Sequence, residues 1–348
     1  MNAQIRAISC YTPSRSLGND ELIARFSGWT ADKMERKLGI VSRPIAAAGE
    51  TATDMAVEAG KRLLESGVIP VENIDFLVFC TQSPDYFLPT SACLIQHRLG
   101  LSKKCGATDI NLGCSGYIYG LALVKGLIEA GLARNVLFLT SETYSKYINE
   151  NDRASRPLFG DAATATLVSS SDADRPQLGP FEFGTDGGGA EMLIVPAGAQ
   201  RMPADETTKR VEPDMRGNFR SKEQLLMSGP GIFNFAVDEV PPLVESLQNR
   251  CQADSLEIDT YIFHQANRYM LDRLQELCRL ENERYFCNML YRGNTVSSSI
   301  PLAILDAFED GFIKPSESSL LVGFGVGLSW GACRVQIPAD FKPIYEDQ

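Results

Sequence analysis

Residues 72–82, ENIDFLVFCTQ, resemble residues 256–266, LEIDTYIFHQA, at an offset of 184 positions. The same offset aligns two further pairs of segments whose apolar positions coincide. These pairs are 134–145 with 318–329 and 114–131 with 298–315. Three segments in one register favour a duplicated fold over chance. The repeat predicts two halves, 1–172 and 173–348, that meet in the polar stretch SSSDADRPQ.

Short apolar runs alternate with longer helical patterns along the chain, which indicates an α/β architecture. Residues 51–68 have apolar positions at helical spacing and predict an amphipathic helix. Residues 184–224 are rich in glycine, proline and charge, and predict a long surface excursion. Five near-continuous apolar runs predict strands that are covered on both faces: 74–80, 135–141, 163–168, 260–264 and 319–325.

The composition argues against several classes of protein. The chain has 348 residues, 44% hydrophobic and 22% charged, as expected for a soluble globular protein with more than one core. We expect neither a membrane span, because no apolar run is long enough, nor a secretion signal. Nine cysteines in such a chain predict reduced thiols in the cytoplasm. A net charge of −11 argues against nucleic-acid binding, and two histidines without a CxxC pair argue against a metal site.

Cys114 lies in NLGCSGYIYG, just before an apolar helical run, and has two interpretations. A cysteine is often simply a small buried hydrophobe. Alternatively, a helix N-terminus lowers the pKa of its thiol and makes it a nucleophile. The repeat aligns Cys114 with Ser298 and His264 with Cys80, at a helix start and a strand end respectively. Ligands of α/β sheets bind beyond the carboxyl ends of strands, where Cys114 and His264 would meet.

A second histidine and a serine-rich loop are also candidates. His97 lies in the helical segment SACLIQHRLG, where an isolated histidine is more often structural than catalytic. The stretch GNTVSSSIP, 293–301, begins with a glycine that permits an unusual backbone angle, and Asn294 follows with an amide that can donate. We interpret the serines after it as helix caps rather than nucleophiles.

The order of GCSGYIYGL, FGDAATA, HQAN, GNTVSSSIP and GFGVGLSWG resembles the beta-ketoacyl-acyl carrier protein synthase III family. The resemblance covers nearly the whole chain. It implies a thiolase fold, which is a duplicated five-layered αβαβα architecture, and a homodimer. It also implies a catalytic triad of Cys114, His264 and Asn294, with the backbone N–H groups of Cys114 and Val326 as the oxyanion hole. The related elongating synthases use a second catalytic histidine, for which His97 is an implausible candidate.

The resemblance implies that five side chains contact the substrate: Arg36, Leu88, Arg153, Asn267 and Arg268. Four positions depart from the usual pattern of the family. Asp32 stands where tryptophan is frequent, Tyr269 where a second basic residue is frequent, and Leu88 where phenylalanine is frequent. Val326 stands where the middle residue of a triple glycine is usual, and its backbone N–H can still contribute to the oxyanion hole. The smaller side chain of Leu88 predicts an acyl pocket that admits longer or branched chains.

The implied activity is a decarboxylative condensation that starts fatty acid synthesis or builds a specialised acyl product. An acyl-CoA or acyl carrier protein acylates Cys114, a malonyl thioester loses carbon dioxide, and His264 and Asn294 donate hydrogen bonds to the enolate. Coenzyme A or phosphopantetheine thioesters are substrates, and we expect no cofactor. Two alternatives stay open: an acyltransferase or thioesterase without decarboxylation, for which Asn294 is superfluous, and a non-catalytic subunit of a heterodimer.

Overall fold

The computed structural model describes residues 2–26, 28–215 and 217–346. The strands up to residue 171 are β1 (Asn2–Tyr11), β2 (Ser16–Gly18), β3 (Ser42–Pro44), β4 (Phe76–Cys80), β5 (Gly106–Ile110), β6 (Asn135–Glu142) and β7 (Ala162–Ser171). The later strands are β8 (Leu178–Thr185), β9 (Leu193–Ile194), β10 (Glu212–Pro213), β11 (Phe219–Arg220), β12 (Leu226–Met227), β13 (Thr260–Phe263), β14 (Tyr285–Phe286), β15 (Ser318–Gly325), β16 (Ser329–Gln336) and β17 (Lys342–Ile344). The helices are α1 (Asn19–Ile23), α2 (Ala31–Leu38), α3 (Ala52–Glu65), α4 (Ser91–Arg98), α5 (Gly116–Glu129), α6 (Gly229–Ala253), α7 (Arg268–Leu277) and α8 (Ser299–Glu309).

Two large sheets repeat one topology. The first has the order β17–β1–β7–β6–β4–β5, and the second has the order β14–β13–β15–β16–β8. Without β17, the first sheet matches the second strand for strand. The pairing directions agree as well, since β4 and β13 pair in parallel with both neighbours and the remaining pairs are antiparallel. The predicted duplicated α/β fold is confirmed.

Helices cover both faces of each sheet and produce five layers. Helices α3 and α4 pack on the outer face of the first sheet, and α6, with α7 against it, packs on the outer face of the second. Helices α5 and α8 lie between the sheets and contact strands of both. The αβαβα architecture explains why the central strands are apolar along their whole length, because neither face of them meets water.

The local predictions agree with these elements. The five apolar runs form β4, β6, β7, β13 and β15, with ends that differ by a few residues. The amphipathic segment forms α3, which begins with a capping box between Thr51 and Asp54 and is followed by Gly67 in the left-handed region. In the described part of the excursion at 184–224, the end of β8 is followed by a 3₁₀ helix and by the short strands β9, β10 and β11.

The division into halves at 172/173 stays a proposal of ours, which the strand order supports because β7 ends at Ser171 and β8 begins at Leu178. No helix of the described residues has the length and hydropathy that crossing a membrane requires.

Candidate active site

Cys114 lies one residue before the N-cap of α5, in the layer between the two sheets. It is buried, and its sulfur faces the end of β15 from the second sheet. A Cβ atom at Gly325 would lie 2.8 Å from the Cys114 Cβ and 3.0 Å from its Sγ, so only glycine lets the strand approach this closely. The two halves therefore meet at the sulfur.

The ionisation of Cys114 corrects the sequence-based expectation. The pKa of its thiol is raised to about 12, chiefly because burial disfavours the thiolate. The second cause is the Glu142 carboxyl, whose negative charge repels the thiolate. The backbone N–H groups of Cys114 and Val326 lower the pKa, but by less than burial raises it. The prediction of a lowered thiol pKa is therefore wrong, and the buried thiol is neutral near pH 7.

His264 follows β13 directly and is buried. Its backbone N–H donates to the carbonyl of Val322 at 2.7 Å, and its ring lies edge-on to Phe324 with centroids 5.5 Å apart. The ring Nδ1 is 2.6 Å from the Ser299 hydroxyl at the start of α8. Burial lowers the pKa of His264 to about 3, so the ring is neutral. In the tautomer that carries its proton on Nε2, the Nδ1 atom accepts from the Ser299 hydroxyl.

Asn294 is held by its backbone and by one side of its amide. Its N–H donates to the carbonyl of Leu158 at 2.8 Å, and its carbonyl accepts from Gly160 at 3.0 Å. Its Oδ1 accepts from the N–H of Val296 at 2.9 Å. Among the described residues nothing accepts a hydrogen bond from Nδ2 in this structure. The amide therefore has a fixed orientation and an available donor.

Shared neighbours connect Cys114, His264 and Asn294, and the buried region around these three residues is called the crevice here. The end of β15 carries Phe324 against the His264 ring and Gly325 against Cys114. The backbone of Val296, whose N–H fixes Asn294, also acts on His264. The crevice contains a thiol, a neutral imidazole and an amide, and these groups are chemically able to act as one nucleophile and two uncharged hydrogen-bond donors.

The serines after Asn294 do not cap α8, contrary to the sequence-based interpretation. Ser298 occupies the N-cap position of α8 but its side chain does not cap the helix. Ser297 contacts Glu142, Ser298 contacts Thr140 and the carbonyl of Ala162, and Ser299 contacts His264. The buried crevice offers these hydroxyls partners, because the start of α8 lies between the sheets rather than in water.

Sequence reasoning missed Glu142, the last residue of β6. It is fully buried, and burial raises its carboxyl pKa to about 8. The available signal was its place in the repeat, since the offset of 184 aligns Glu142 with Val326.

Comparisons with known proteins identify the family. Residues 108–187 match the family model of 3-oxoacyl-[acyl-carrier-protein (ACP)] synthase III, and residues 249–337 match that of its C-terminal part. The beta-ketoacyl-[acyl-carrier-protein] synthase III of Caldanaerobacter subterraneus subsp. tengcongensis is 36% identical over 331 residues, which cover 95% of this chain and 96% of that protein. The chain belongs to the beta-ketoacyl-[acyl-carrier-protein] synthase III family.

Solved structures of synthase III proteins have the same fold as this chain. A 3-oxoacyl-(acyl-carrier-protein) synthase III structure superposes with a TM-score of 0.94 at 44% identity, covering 97% of this chain and 100% of that one. A 3-oxoacyl-(acyl-carrier protein) synthase from Burkholderia xenovorans LB400 superposes with a TM-score of 0.90 at 36% identity, covering 99% of this chain and 97% of that one. The thiolase fold predicted from the synthase III resemblance is confirmed.

Of the five side chains that the synthase III resemblance assigned to substrate binding, three belong to the packed helices α2 and α7 or their ends, and two lie on separate loops. Arg36 and Arg268 are exposed, and each pairs with an acidic residue one turn away. Asn267 accepts from the N–H of Met270 and caps α7, which gives it a structural role. Arg153 is half-buried beside the excursion at Gly217. Their contacts to substrate stay predictions.

Leu88 does not line a pocket of its own chain, because it is 83% exposed on the loop after β4. The second histidine of the chain, His97, is exposed on α4 and lies outside the crevice, as expected. In the part of the chain that the structure describes, no three His, Cys, Asp or Glu side chains are grouped as metal ligands.

Proposed function

We propose that the protein is a decarboxylative condensing enzyme whose nucleophile is Cys114 and whose enolate donors are His264 and Asn294. One observation carries the proposal. The fixed Asn294 amide and the neutral His264 ring offer two donors in the crevice of a buried thiol. An enolate oxygen needs such donors, whereas acyl transfer to water or an alcohol does not.

The first half-reaction transfers an acyl group to Cys114. The sulfur attacks the thioester carbonyl, a new C–S bond forms, and the bond to the carrier sulfur breaks. The thiol proton ends on the departing coenzyme A or carrier thiol. The backbone N–H groups of Cys114 and Val326 point towards this sulfur, which supports their assignment as the oxyanion hole.

The second half-reaction uses the two donors. A malonyl thioester loses carbon dioxide, and the resulting enolate oxygen accepts hydrogen bonds from His264 Nε2 and Asn294 Nδ2. The enolate carbon attacks the S-acyl carbonyl, a C–C bond forms, and the C–S bond to Cys114 breaks. The released thiolate takes up one proton. We propose no cofactor, because the thioester and the lost carbon dioxide supply the driving force.

The finer assignments rest on the family. We propose acyl-CoA or acyl carrier protein as the acyl donor, with a product for fatty acid initiation or a specialised pathway. Contacts from Arg36, Arg153, Asn267 and Arg268 would bind the carrier. We propose a homodimer in which the exposed Leu88 reaches the site of the partner. We also propose a cytoplasmic location, which fractionation of cells that express the tagged protein would check.

Intact-protein mass spectrometry tests the proposed function. The protein is mixed with acetyl, longer and branched acyl thioesters and then with a malonyl thioester. We expect an acyl adduct that malonate converts into a β-ketoacyl product. We expect no adduct on Cys114→Ala, because the neighbouring Cys80 thiol is fully buried and donates to the Leu112 carbonyl. A preference for acetyl over every longer chain would contradict the Leu88 prediction.

Two other outcomes would contradict the proposal. Adducts that ignore malonate but disappear with water or an alcohol would identify a thioesterase or acyltransferase. A protein that forms no adduct with any donor would be a non-catalytic subunit.

A further inference from the structure

Glu142 is a fully buried carboxyl that joins three segments of the chain around Cys114. One carboxylate oxygen accepts from the backbone N–H of Gln82 at 3.0 Å and the other accepts from it at 3.1 Å. The Ser83 hydroxyl donates to Glu142 at 2.9 Å, and the Ser297 hydroxyl donates to it at 3.3 Å. The carboxyl thus connects the end of β6 to the loop after β4 and to the loop of Asn294.

The internal repeat relates the position of Glu142 to a residue beside Cys114. At the offset of 184, Glu142 corresponds to Val326, and Cys114 corresponds to Ser298. Val326 directs its N–H at the sulfur of Cys114, and Glu142 contacts the neighbour of Ser298. Each strand end therefore reaches the helix start of the opposite half. An apolar residue would fill this position without the cost of burying a carboxyl.

The surroundings of Glu142 do not neutralise its charge. It forms no ion pair within residues 2–26, 28–215 and 217–346. The ionisable groups that act on it or that it acts on are Cys80, Cys114, Tyr144, Tyr147 and Asp161. Each of these groups is neutral when protonated and negative when ionised, so none of them attracts a carboxylate. Burial accordingly raises the pKa of Glu142 to about 8, near the pH at which proteins work.

We propose that Glu142 is a positioning residue that tethers the Asn294 loop through Ser297 and whose protonation state controls the reactivity of Cys114. The inference rests on the proposed role of Cys114 as the nucleophile. A protonated carboxyl keeps its hydrogen bonds, because a serine hydroxyl can rotate and accept from it. It also places no charge near the sulfur of Cys114. An ionised carboxyl opposes formation of the thiolate.

The test is the alkylation of Cys114 by iodoacetamide from pH 6.5 to 10, followed by peptide mass spectrometry. In Glu142→Gln the charge is absent at every pH. The rate ratio of this variant to the wild type should be near one at pH 6.5. It should rise by about three- to tenfold above pH 9, because a like charge typically shifts a neighbouring pKa by up to about one unit. Exposed Cys93 is an internal reference whose rate should not differ between the proteins.

Two further measurements keep the test decisive. The wild-type profile should bend near pH 8, the Glu142→Gln profile should not bend there, and the profile of Glu142→Asp, which retains an ionisable group, should also bend. A ratio that is constant with pH, or a wild-type profile without a bend, would mean that Glu142 has only a structural role. Alkylation needs no acyl thioester, so these results are independent of whether the proposed condensation is correct.

Discussion

Burial determines the chemistry of the individual residues in the crevice. It raises the pKa of Cys114 to about 12 and that of Glu142 to about 8, and it lowers that of His264 to about 3. Each shift has the same cause, since the interior disfavours whichever form is charged. Near neutral pH, the thiol, the imidazole and most of the carboxyl population are therefore uncharged.

The lowered pKa of His264 predicts how condensation depends on pH. A histidine in water changes charge near pH 6.5, whereas His264 stays neutral as the pH falls towards about 3. The ring of His264 therefore stays neutral and keeps its Nε2–H donor from pH 5 to 8. We expect the single-turnover rate of preformed acyl-enzyme with a malonyl thioester to show no inflection near pH 6.5. A rate that changes with a midpoint near 6.5 would contradict a neutral His264.

Sequence reasoning found the triad candidates but not the buried surroundings that shift their pKa values. Cys114, His264 and Asn294 lie in motifs, whereas Glu142 ends an apolar strand and resembles an ordinary polar terminus. Its burial depends on residues about 60 and 155 positions away, Gln82 and Ser297, that no local pattern connects to it. For the same reason the sequence predicted the wrong direction for the thiol pKa, because burial is a property of the packed fold.

At the scale of elements, the strands and α3 were predictable because apolar runs and helical periodicity are local signals. The turn that presents Asn294 was only partly predictable. Gly293 has a φ of +64°, as a glycine there suggests, but Val296 also has a positive φ of +55°. A β-branched residue rarely adopts this angle, and its N–H bond to Asn294 helps to hold it there.

At the scale of the whole molecule, the duplication places one half's helix start against the other half's strand end. Two surface features of this chain indicate where a second subunit would bind. Strand β5 is an edge of the six-stranded sheet, and the loop after β4 exposes Phe87 and Leu88. Exposed apolar side chains near an open strand edge are typical of an interface between subunits.

The proposed homodimer can be tested by measuring the mass of the protein in solution. Light scattering after gel filtration should give twice the chain mass of 38.1 kDa. Phe87→Asp should shift the protein towards the monomer, because a charge would be buried in the interface, whereas the same change at exposed Tyr291 should not. A wild-type mass of a single chain at micromolar concentration would contradict the homodimer.

The most direct test of the central claim measures both half-reactions in Asn294→Asp. This change keeps the acceptor for the Val296 N–H and removes the Nδ2 donor. We expect acylation of Cys114 at close to the wild-type rate and condensation that is about a hundredfold slower or more, because one enolate donor is lost. Equal loss in both half-reactions, or condensation at the wild-type rate, would contradict the assignment of Asn294 and with it the proposed mechanism.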